Sequence, residues 1–83
     1  MDFVVYVLKS VNYNKHYIGF TSNLIQRFYA HNKLSSKGYT IKYRPWIVIY
    51  LEFFHTKADA LNREKFLKSG MGRAWLKQNL DEW

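Results

Sequence analysis

The sequence predicts an α/β domain of the α+β type, a small three-stranded sheet flanked by helices in the order β-β-α-β-α-α, its first two strands antiparallel. Three observations carry this. Runs of β-branched and aromatic residues occur at 3–8, 16–20 and 46–51, the composition that strands favour. Apolar residues at helical spacing follow capping residues at 21–23 and at 56, as helix starts require. The 83 residues contain no cysteine yet are 48% hydrophobic and 19% aromatic, so a single domain over residues 1–83 must be held together by packing alone.

Phe3-Val-Val-Tyr-Val-Leu8 has no polar alternation and suits a strand buried on both faces. The polar stretch Ser10 to Lys15 with its two Asn reads as a hairpin connection to the strand His16-Tyr17-Ile18-Gly19-Phe20. Thr21, Ser22 and Asn23 are candidate caps for a short amphipathic helix from about Asn23 to Asn32, with Leu24, Ile25 and Phe28 at helical spacing. Residues 33–43 read as a loop, closed by Arg44-Pro45 because the residue before proline disfavours helix. Trp46 to Leu51 form the third strand. Thr56-Lys57-Ala58-Asp59 resembles a capping box opening a second helix that ends near Ser69-Gly70, where glycine suits a left-handed cap. A last short helix runs from about Gly72 to Gln78.

Thirteen Lys and Arg against six Asp and Glu give a net charge of +7, which points to a polyanionic partner. The lack of cysteine excludes thiolate zinc sites and disulfide chemistry. With no apolar run near the roughly 18 residues of a membrane span, the expected location is the cytoplasm.

Helical geometry places Glu64 between Ala60, Leu61 and Leu67, a carboxylate inside an apolar stripe. Such a group is normally paired, neutralised or bound to metal, and Lys68 at i+4 offers the simplest pairing. Arg27 and His31 lie four residues apart beside the Leu24/Phe28 stripe. Arg27 there can fork onto a phosphate, or either residue can simply occupy a solvated or boundary position. Tyr6 and Tyr17 can meet across the first two strands, although strand tyrosines commonly serve packing. Gly19 weakens a strand interior and marks a close approach by another backbone or a ligand. Lys37, Lys42, Tyr43 and Arg44, with Tyr39 and Trp46, mix aromatic and basic groups that can stack bases and neutralise phosphates, or whose aromatics can cover the core while the lysines stay solvated.

Taken in order, Val4-Val5-Tyr6, Tyr17-Ile18-Gly19, Arg27, His31 and Leu61-Asn62-Arg63-Glu64-Lys65 resemble the GIY-YIG nuclease superfamily, in particular short stand-alone members similar to the N-terminal nuclease domain of the UvrC repair protein. Tyr43-Arg44-Pro45-Trp46 and Lys68-Ser69-Gly70-Met71-Gly72-Arg73-Ala74-Trp75-Leu76 extend the resemblance over almost the whole chain. It implies a three-stranded antiparallel sheet flanked by helices and a phosphodiester-cleaving site with one Mg²⁺ or Mn²⁺ ion at Glu64, Tyr6 and Tyr17 beside the attacking water, and Arg27 on the scissile phosphate. His31 would be a proton relay, while Gly19, Lys37, Lys42, Tyr43 and Arg44 would contact nucleic acid, DNA ahead of RNA. The implied work is that of an endonuclease, of the DNA-repair kind. The alternative is a non-catalytic nucleic-acid-binding module of the same fold. The sequence departs from the family pattern at Val4-Val5, which replace the Gly-Ile of the first motif.

Overall fold

A computed structural model describes residues 2–29, 32 and 39–83. Its sheet has the order β2-β1-β3, with β1 (Phe3–Ser10) central and antiparallel to β2 (His16–Thr21) and β3 (Trp46–Phe54). The alternation of β1 fills both faces, as its unbroken apolar run requires. Val5 and Val7 join Ile18 in a core with Ala60 and Leu67 of α3 (Lys57–Lys68) and Leu76 of α4 (Gly70–Asn79). Tyr6 and Leu8 point the other way and pack with Trp46, Tyr17, Tyr43, and Leu24 and Phe28 of α1 (Leu24–Tyr29). Val4 and Val5 are both buried in the sheet, so the departure from glycine is absorbed as packing.

The local signals act largely as expected. Asn23 caps α1, its Oδ1 accepting from the Gln26 N–H at 3.1 Å, and the Thr56 hydroxyl accepts from the Asp59 N–H at 3.1 Å to open α3. Three readings need correction. The stretch read as a loop contains a single helical turn, α2 (Tyr39–Lys42), too short to generate a periodicity. The third strand continues to Phe54, because Glu52 interrupts the apolar run without leaving the ladder. Its carboxylate accepts from the Tyr50 hydroxyl at 2.6 Å and pairs with Arg63 Nε at 3.0 Å. Finally, Gly70 is not a left-handed cap but the first residue of α4, which therefore starts before Gly72.

Ser69 makes that corner. In extended conformation it ends α3 and caps α4, its hydroxyl donating to the Phe66 carbonyl at 2.5 Å and accepting from the Gly72 N–H at 3.2 Å. The two helices meet so closely that a Cβ on buried Gly72 would overlap the Phe66 carbonyl oxygen and stand 2.5 Å from Leu67 Cα. Backbone cannot swing aside as a side-chain tip can. Gly72→Ala is therefore expected to destabilise the fold by about 3 kcal/mol or more, read as a fall in the urea midpoint.

At the hairpin end of the sheet the His16 ring stacks on Trp83, centroids 3.6 Å apart and 12° from parallel. Burial in this stack, followed by the charges of Lys9 and Arg73, lowers the His16 pKa below its ordinary value. The unfolded chain consequently binds the proton more readily. The stabilisation is complete above the ordinary histidine pKa of about 6.5 and is lost as pH falls below it toward the folded value. Melting temperature should drop between pH 7.5 and 5, and the drop should shrink in His16→Phe.

Candidate active site

A cleft of about 420 Å³ opens at the β2 side of the sheet and collects side chains from β1, β2, α1 and α3. Tyr6, Tyr17, Gly19, Arg27 and Glu64 all line it, so five residues singled out from the sequence converge in one place. His31 and Lys37 lie outside the described residues. Lys42, Tyr43 and Arg44 are not in this cleft. Tyr43 is nevertheless part of the apolar cluster containing Tyr6 and Tyr17.

Sheet register explains the tyrosine pair. Tyr6 faces Gly19 across the β1–β2 ladder and Tyr17 faces Leu8, so Tyr17 sits one diagonal step from Tyr6 on the same face. The rings lie 6.2 Å apart and 25° from parallel. What separates them from an ordinary pair is Gly19. A Cβ at that position would stand 2.6 Å from Tyr6 Oη, 2.8 Å from its Cζ and 3.2 Å from Tyr17 Cε1. The glycine leaves open the space through which the Tyr6 phenol reaches the cleft, a packing reason that the strand sequence alone does not reveal.

The two phenols differ in environment. Tyr6 is 2% exposed, and its pKa is pushed far up by burial first and then by Tyr17, with Glu64 adding to the effect and Arg27 opposing it. Tyr6 is thus a protonated hydrogen-bonding group at neutral pH. Tyr17 is only half-buried and meets solvent in the cleft.

Glu64 projects from α3 at the rim of its apolar stripe, its side chain 13% exposed, with Lys68 Nζ 3.5 Å from Oε2. The i,i+4 pair and the cleft position thus coexist. Half of that pair is open to solvent, Lys68 being 50% exposed, so its attraction is weak and leaves the carboxylate able to take another cation. Among the described residues no three ligating His, Asp or Glu side chains gather. One carboxylate suits a hard divalent ion such as Mg²⁺, which keeps several waters and completes its shell with substrate phosphate oxygens.

Sequence reasoning missed Lys57. It lines the cleft with Arg27, Thr21 and Ser22, and it stands seven residues before Glu64, two turns along one face of α3. That spacing was the available signal. A cation in the first turn of a helix opposes the macrodipole, a local misfit which an anion in the cleft would reverse.

A family model described as the GIY-YIG catalytic domain matches residues 2–78. The chain is 35% identical over 65 residues to UPF0213 protein SH2523 of Staphylococcus haemolyticus, covering 78% of each chain. It is 39% identical over 64 residues to UPF0213 protein CPE1444 of Clostridium perfringens, covering 77% of this chain and 68% of the relative. The solution structure of UPF0213 protein BH0048 from Bacillus halodurans shares the fold with a TM-score of 0.57 at 24% identity, over 94% of this chain and 84% of that one. With the motif residues gathered in one cleft and the family model spanning nearly all of the sequence, the chain belongs to the GIY-YIG nuclease family.

Proposed function

We propose that the protein is a divalent-metal-dependent endonuclease hydrolysing phosphodiester bonds in DNA in the cytoplasm. The observation that carries this reading is the convergence of Tyr6, Tyr17, Arg27 and Glu64 in one cleft. Phosphodiester hydrolysis builds negative charge on the phosphoryl and leaving oxygens, and preorganised cations aimed at that charge lower the barrier. Arg27 is suited to fork onto the non-bridging oxygens, with Lys57 opposing the same phosphate. Tyr6, held protonated by burial, donates a hydrogen bond that orients the attacking water. Tyr17 is the more exposed phenol and relays the proton of that water, its hydroxyl oxygen accepting it as the phenolic proton passes on to solvent in the cleft. A metal ion held by Glu64 would supply Lewis-acid stabilisation of the phosphoryl oxygens. Among the described residues no helix is long and apolar enough to cross a membrane.

The Glu64–Lys68 contact is the observation that favours a non-catalytic nucleic-acid-binding module instead. A nicking assay separates the two. The nuclease reading predicts that the protein relaxes supercoiled plasmid with Mg²⁺, that a chelator stops it, and that Arg27→Ala slows it about 10²-fold. Salt-sensitive binding with no metal-dependent nicking would instead identify the binding module. Running duplex, branched and single-stranded DNA beside RNA in the same assay assigns the substrate.

A further inference from the structure

The whole net charge of the chain lies in one stretch. Between Asp2 and Glu52 there is no acidic residue, while Lys9, Lys15, Arg27, Lys33, Lys37, Lys42 and Arg44 contribute seven positive charges; elsewhere six cations meet six acids. Of the five of these that lie among the described residues, only Arg27 lines the cleft, so the excess calls for a polyanion contact outside it.

At the hairpin end of the sheet, Tyr13 packs edge-on against Tyr43 with centroids 5.3 Å apart and planes at 72°. Lys15 Nζ and Lys42 Nζ stand 5.4 and 5.6 Å from the centre of the same Tyr43 ring. Tyr13 is 52% exposed. This group is built, not incidental. The Ser10 side chain, 1% exposed, donates to the Tyr43 carbonyl at 2.7 Å and accepts from the Tyr13 N–H at 3.2 Å. The Val11 N–H reaches the Pro45 carbonyl at 2.9 Å, and the Ser10 N–H closes on the Lys15 carbonyl at 3.0 Å. Hairpin and the segment entering β3 are therefore one body that presents aromatic edge and two ammonium groups together.

We propose that this hairpin platform is a second nucleic-acid contact that holds the single-stranded flank of the substrate, Tyr13 stacking on a base while Lys15 and Lys42 neutralise its backbone. Aromatic rings beside cations are the combination that binds unpaired strands without reading sequence. The platform continues from the cleft, since Tyr43 packs in the cluster that holds Tyr6 and Tyr17. Gly19 and Lys15 are four residues apart, about 13 Å at the rise of a strand. That distance corresponds to about four nucleotides at the spacing of a stacked strand. The proposal rests on the reading of the chain as one that acts on nucleic acid, and it does not require cleavage.

The test is fluorescence anisotropy with a labelled single-stranded deoxyoligonucleotide of about twelve nucleotides, several spacings of the two contacts at the strand rise used above, in chelator so that nothing is cut. Tyr13→Ala should weaken binding about tenfold, whereas Tyr13→Phe should bind like the native chain. The double change Lys15→Gln/Lys42→Gln should flatten the log–log salt dependence by about 1.4. Melting curves of each variant check the fold, and the exposed lysine pair gives a readout even if Tyr13→Ala loosens the hairpin. Unchanged affinity in Tyr13→Ala together with an unchanged salt slope overturns the proposal. Equal losses on blunt duplex overturn its single-stranded occupant. A protein that never nicks plasmid but shows these binding losses refutes the nuclease reading and leaves the platform standing.

Discussion

Gly19→Ala is expected to cost about 10²-fold in nicking rate while lowering stability by only about 1–2 kcal/mol. The added methyl would stand 2.6 Å from Tyr6 Oη and 2.8 Å from Cζ, inside any allowed contact. Both atoms are at the tip of a side chain, so the fold can survive by turning the phenol away. Tyr6 is 2% exposed and has little room to turn, which sets the moderate stability loss. What suffers is placement: the phenol leaves the point at which it orients water, and displacements of about 1 Å are worth orders of magnitude in rate. Were Gly19 also a site of close nucleic-acid approach, the same change would weaken DNA binding as well. Binding measured alongside rate separates these causes, because the packing account predicts that affinity is retained.

Glu64→Gln is expected to have the larger effect, a loss of about 10³-fold or more in nicking. Glutamine preserves the shape of the side chain within the α3 stripe but removes the charge that a divalent ion requires. Folding should be nearly unaffected, because the only ion pair given up among the described residues is the half-exposed contact with Lys68. A stability effect within about 0.5 kcal/mol, measured by urea unfolding, is the expected accompaniment.

Much of this site was legible in the sequence, and the reasons for the exceptions are physical. Tyr6 and Tyr17 could be placed on neighbouring strands because strand alternation assigns faces. Glu64 stood out because a carboxylate in an apolar stripe breaks the helical pattern. Gly19 could be flagged but not explained, since its partner is 13 residues away and only the β1–β2 register brings Tyr6 over it. Lys57 was hidden because a lysine on a solvated helix end is unremarkable until another element supplies Arg27 opposite it. The Ser69 corner was misread for a related reason. Gly70 suggested a left-handed cap, but the serine hydroxyl satisfies both helix ends at once and leaves the glycine free to begin α4. The three strands were readable from their β-branched and aromatic runs, while the one-turn α2 had no period to read.

We propose cleavage of phosphodiester bonds in this cleft with metal held at Glu64. Its most direct test is relaxation of supercoiled plasmid in Mg²⁺ by the native chain and by Glu64→Gln purified identically. Nicking is expected from the native chain alone, with the variant still folded and still binding DNA. Equal traces of nicking from both proteins, or none from either, would contradict it.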